Sequence, residues 1–223
     1  MIIKMMIDVL MVILMFAAMA YSLTGNMGHE LLGVSLFLLF VLHSALNWRW
    51  YIAIFKGKYD TARFMNTAVN MAFFIIMFAL IISGVYLSHD IFAFMGLEGG
   101  LSARSLHVGA SYWGLVLMSV HLGMHWVMIM GVIGKRTRML VLNRFFNGAL
   151  PVSGAMVALY GVYAFAERNV FRKLTFSDSF DFWNYDQSPV LFFIDLVSIM
   201  VFFIWATHHM RRGIQNLSRG RIP

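Results

Sequence analysis

The chain has 223 residues, of which 61% are hydrophobic and 12% charged, with a formal net charge of +7 and no cysteine. That balance is far from a soluble domain's. Without cysteine there is no disulfide framework, no thiolate-held iron–sulfur cluster and no covalent haem attachment. The basic residues lie between apolar runs rather than along one face, which points to a membrane surface and not to nucleic acid.

In chain order, the apolar runs predict an all-α integral membrane bundle with six spans, at about 5–24, 29–54, 64–88, 105–133, 148–166 and 189–210. The first run, with Lys4 ahead of it and Ala18-Met19-Ala20 near its end, has the outline of a signal peptide. It is read as a retained helix. Spans one to four, within 1–133, are expected to form a four-helix core. The remaining 134–223 would add two peripheral helices, and the whole chain is one transmembrane domain.

Loop charges set the expected orientation. Lys4, Arg49, Lys56, Lys58 and Arg63, then Lys135, Arg136, Arg138 and Arg144, then Arg211, Arg212, Arg219 and Arg221 make thirteen of seventeen basic residues. In a six-span chain all thirteen fall on one side. Asp90, Glu98, Glu167, Asp178, Asp181 and Asp186 fall on the other, with Arg104, Arg168, Arg172 and Lys173. The positive-inside rule then puts both termini in the cytoplasm, in a bacterial or archaeal cytoplasmic membrane.

Two spacings stand out within this frame. His29 and His43 are fourteen residues apart in span two, and His107 and His121 are fourteen apart in span four. At about 100° per residue, fourteen residues return to within about 40° of the same helix face, roughly 21 Å along the axis. Spans two and four both run from outside to inside, so two parallel helices would hold two planar groups between them, one above the other. Histidine inside a span is costly unless partnered. The spacing therefore predicts two non-covalent haem b groups with bis-histidine ligation: His29 with His107 on the outer iron, His43 with His121 on the inner.

Other residues fit around these four. Gly114 lies midway between His107 and His121, and Gly33 one turn after His29, so both are placed to let a flat macrocycle approach the backbone. Arg104, and Arg49 or Arg63, are candidate partners for haem propionates, or else ordinary membrane-flanking anchors. His125, one turn after His121, is the alternative inner ligand. His89, His125 and Asp195 are candidates for quinone or proton handling, Asp195 because acids inside spans are rare. His208-His209 are read as structural.

With these positions in hand, the chain resembles the di-haem cytochrome b proteins of respiratory membranes over about 29–125. Their second and fourth helices each carry two histidines at nearly this spacing, matched here by His29, His43, His107 and His121. No Pro-Glu-Trp-Tyr quinol-site motif is present, so that family's quinol chemistry does not carry over. The chain looks more like the small cytochrome b subunits of hydrogenases and formate dehydrogenases. The resemblance implies an electron-transfer subunit linking a quinone pool to a redox partner subunit. The outer loop 167–188, rich in aromatic and acidic residues, is read as an interfacial aromatic belt, or more sharply as that partner's docking surface.

The competing reading is a metal-handling membrane transporter without haem, using histidine with Met19, Met27, Met118, Met124, Met128 and Met130 as soft ligands. Methionine is also ordinary apolar filler.

Overall fold

The computed structural model describes residues 2–136, 144–180, 183 and 185–219. The expectations resting on Arg138, Asp181, Phe182, Asn184 and Arg221 lie outside the described residues, as do the side chains of Lys135, Arg136, Arg144 and Arg219. Among the described residues the architecture is all-helical. Its elements are α1 (Ile2–Met19), α2 (Tyr21–Leu46), α3 (Trp48–Ile54), α4 (Thr61–Leu87), a short 3-10 turn (Ala93–Met95), α5 (Leu101–Arg136), α6 (Arg144–Glu167), α7 (Val170–Leu174) and α8 (Pro189–Arg219).

Four of the described helical stretches are long and apolar enough to cross a membrane: Tyr21–Leu46, Thr61–Leu87, Leu101–Val132 and Pro189–Asn216. Their outward faces carry large apolar side chains such as Ile75, Val127 and Phe64, each more than 60% exposed. In water such faces would be unstable, whereas in lipid they are the expected surface.

The second helix departs from the expected 29–54. It begins at Tyr21 and ends at Leu46, with Asn47 as its cap, and the shorter α3 follows from Trp48. Ala20 alone separates it from α1, and Gly25 takes φ 67°, ψ 177° inside its first turns. A side chain rarely tolerates that backbone, so glycine makes the bend available. With Ala20 it folds α2 back along α1. Asn47 stops the helix by giving its side-chain amide to the His43 carbonyl at 2.9 Å, a local competition with the helical ladder. On the other side of the turn Asp60 caps α4, its carboxylate accepting from the Arg63 amide at 2.7 Å.

Three antiparallel hairpins result. Helix α1 lies on α2, α4 on α5, and α6 on α8. Helix α5 is the hub, since it also packs along α8 and beneath α7. Two glycines permit the closest approaches: a methyl group on Gly123 would stand 2.8 Å from the Ile204 carbonyl oxygen, and one on Gly161 would meet the Ser198 carbonyl. Small residues at helix crossings replace the missing hydrophobic drive for association in lipid. One buried cluster runs through all three hairpins, from Met15 and Phe40 through Tyr112 and Leu115 to Leu196 and Ile199. The first two hairpins meet lightly, however, with α2 touching α4 far less than it touches α1. That seam is where the histidines lie.

Candidate cofactor site in the seam between two hairpins

Each of the four spaced histidines is anchored through Nδ1 to the other helix of its own hairpin. His29 Nδ1 lies 2.9 Å from the Ala18 carbonyl oxygen, and His43 Nδ1 lies 2.7 Å from Asp8 Oδ1. Across the seam, His107 Nδ1 lies 3.0 Å from Ser83 Oγ, and His121 Nδ1 lies 2.8 Å from Asn70 Oδ1. A carbonyl and a carboxylate only accept, so His29 and His43 carry a proton on Nδ1. Ser83 gives its own hydroxyl proton to the Ala79 carbonyl at 2.6 Å, so it too accepts from the ring. In a neutral imidazole this leaves Nε2 as the bare lone pair. The arrangement is the one that metal-ligating histidines use, with an acceptor fixing tautomer and ring orientation.

The local sequence explains why these acceptors exist. Ala18 lies in the last turn of α1, where carbonyls have no partner within the helix. Asp8, Asn70 and Ser83 are polar residues in otherwise apolar helices, each within hydrogen-bond distance of a ring. His43 has one further contact, a long 3.4 Å approach of the Asn47 amide to Nε2.

At one end of the seam two of the spaced rings meet directly. His29 and His107 meet with ring centroids 5.8 Å apart and planes at 71°. Two imidazole nitrogens on opposite sides of one metal ion stand about 4 Å apart, from a metal–nitrogen distance of about 2.0 Å, and the ring centres lie further back. The observed separation is on that scale. At the other end His43 and Asp8 are within electrostatic reach of His121, with no direct ring contact between His43 and His121 among the described residues. The ring against His121 is that of His125, 4.8 Å away. Among the described residues His125 makes no hydrogen bond, so it lacks the anchor that Asn70 gives His121.

The surroundings are open on the seam side. Gly33 has nothing within 4 Å of where a Cβ would be, and Gly84 lies against the His107 ring, its notional Cβ 3.4 Å from Cε1. Gly114 faces α1, where Met15 Cε comes within 3.0 Å of a notional Cβ, and so fills the level between the two histidine pairs. Ser44 Oγ and Asn66 Oδ1 are buried without a hydrogen-bond partner. Ser44 follows His43, and Asn66 lies one turn from Asn70, so both orphans belong to the His43–His121 end.

These features fit haem b. No group of three or more His, Cys, Asp or Glu able to hold a bare metal ion is found among the described residues. A macrocycle that brings four nitrogens of its own needs only two from the protein, and His29 with His107 stand close enough to be such a pair. The methionines of the transporter reading are dispersed: Met118 and Met124 are buried in the core, while Met27 and Met128 are more than half exposed.

The remaining expected residues stand elsewhere. Arg104 lies over the Phe180 ring at 5.2 Å, and Arg49 over Trp48 at 5.9 Å. The exposed side chain of His89 lies outside the seam. Asp195 is buried between α6 and α8, where it accepts from Tyr160 at 2.7 Å and from Arg168 Nε at 2.8 Å, and pairs with Arg168 Nη2 at 2.7 Å. In the loop 167–188, Trp183 packs inward on Phe192 at 4.9 Å, while Tyr185 is exposed.

Sequence reasoning missed one cross-seam tie. Glu30, next to His29, accepts from the amides of His89, Asp90 and Ile91 at 2.8, 3.2 and 2.7 Å, from Ser88 Oγ at 2.6 Å and from Asn26 at 2.9 Å. It thus fixes the start of α2 to the end of α4 beside the His29–His107 pair. The signal is an acid beside His29 at the head of an apolar run.

No family model matches the chain, and no curated protein or solved structure is significantly similar to it.

Proposed function

We propose that the chain is a di-haem b-type cytochrome. It carries electrons across a bacterial or archaeal cytoplasmic membrane, between a quinone pool and a redox partner subunit, as the membrane subunit of a respiratory oxidoreductase complex. The observation that carries this reading is the fourfold anchoring of Nδ1, which holds His29, His43, His107 and His121 in the tautomer that offers Nε2 to iron. Haem b, when bound, supplies reversible one-electron chemistry.

The chain's part is to hold and separate the two sites. His29 with His107 would take the outer iron, and His43 with His121 the inner. Ala18, Ser83, Asp8 and Asn70 orient these rings, and Met15 with Gly114 closes the level between them. Ser44 and Asn66, polar and unpartnered, suit the polar edge of the inner group. Six spans, counting α1 and α6 with the four apolar helices, place the basic loops on the cytoplasmic side.

The reading is tested on the purified protein by a reduced-minus-oxidised spectrum together with haem content. It requires b-type bands, and loss of one haem with retention of the other when His43 or His107 is replaced by Ala. Retention of both haems in each variant overturns the ligand assignment.

A further inference from the structure

We propose that Asp8 makes the inner haem site the lower-potential one of the two, acting as a positioning residue through His43. The inference rests on the di-haem reading above. Its basis is an asymmetry among the four acceptors that anchor the rings. Three are neutral: the Ala18 carbonyl, the Ser83 hydroxyl and the Asn70 amide. The fourth is the Asp8 carboxylate, 2.7 Å from His43 Nδ1, the shortest of the set.

A carboxylate receiving the Nδ1 proton shifts electron density into the ring and makes Nε2 a stronger donor. A stronger donor, and a negative charge nearby, both favour the oxidised form of an iron ligated there, which lowers the reduction potential.

Cations at this end oppose the effect and have to be weighed. Lys4, one turn before Asp8 on α1, gives its ammonium to the Leu46 carbonyl at 2.6 Å and to Asn47 Oδ1 at 2.9 Å. Arg211 of α8 donates to the Met124 carbonyl of α5. Each is engaged with a backbone carbonyl rather than with a ligand ring. Among the described residues, Asp8 alone of the charged groups is in hydrogen-bond contact with one. Contact at 2.7 Å acts through the ligand bond itself, while a charge further off in a partly wetted region is screened.

The test is a spectroelectrochemical titration of the whole purified protein. The inner component is identified as the one missing in His121→Ala. In the native protein that component should be the one reduced at lower potential. Asp8→Asn keeps an acceptor for Nδ1 and removes the charge. It should retain two haems and raise the inner midpoint by the equivalent of at least a tenfold change in the reduction equilibrium, about 59 mV for one electron. The outer midpoint should stay in place. Asn70→Asp introduces a carboxylate at His121 and should lower the inner midpoint, which keeps the test decisive if Asp8→Asn does not assemble. Two bound haems with an inner midpoint unmoved by both substitutions overturns the role of Asp8 and leaves the di-haem reading standing. A native protein that binds no haem overturns both.

Discussion

Asn70 Oδ1 lies 2.8 Å from His121 Nδ1, and this bond separates His121, which the fourteen-residue spacing favours, from its alternative His125. The ring of His125, a turn further on, lies tilted against His121 at 4.8 Å but has no such anchor among the described residues. His121→Ala should therefore reduce haem content from two per chain to one, and His125→Ala should leave two. Haem-to-protein ratios of the two variants check this directly.

Ser83 does for His107 what Asn70 does for His121, with its own proton committed to Ala79. Ser83→Ala removes the acceptor while leaving the ligand in place. Loss of an outer partner of this kind weakens metal binding roughly 10–100-fold. Transfer of haem to an apo-globin acceptor should show one fast phase from the outer site and an unchanged phase from the inner.

Glu30 ties α2 to the loop after α4 through three backbone amides and a hydroxyl. Hydrogen bonds to a charged group are worth about 1.5–3 kcal/mol each, and they share one carboxylate here. Glu30→Ala should lower thermal stability in detergent by about 2 kcal/mol and loosen the outer haem before the inner. Glu30→Gln, which keeps one acceptor oxygen, should lose less. Thermal unfolding followed by the haem absorbance at both sites separates the two effects.

How much of this was legible in the sequence differs from level to level. The two histidine-bearing helices and the meeting of His29 with His107 are, because helical periodicity and loop charge can be read along the sequence alone. The acceptors are not. Asp8 reaches His43 across 35 residues, Ser83 reaches His107 across 24, and Asn70 reaches His121 across 51. Those distances depend on the register of each hairpin, which is set by the bend at Ala20 and Gly25 and by the long turn after α4. The end of α2 was hidden for another reason. The apolar pattern continues through Trp48–Ile54, and only the side chain of Asn47, which bonds back to His43, marks the break.

Asp195 shows another relation that only the fold reveals. An acid in a span suggests proton handling, and in the fold its carboxylate accepts from Tyr160 and pairs with Arg168. Removing one partner of a buried pair leaves an uncompensated charge, at a cost of about 3–5 kcal/mol. Asp195→Asn should lower the unfolding midpoint sharply while haem content and both midpoint potentials stay as in the native protein. A change in potential with intact stability would return Asp195 to the redox machinery.

The account as a whole depends on haem being present in the seam. A pyridine haemochrome assay on the purified chain, expressed with haem supplied, measures that most directly. Two haem b groups per chain are predicted. A protein that is folded, monodisperse and free of haem would contradict the central claim.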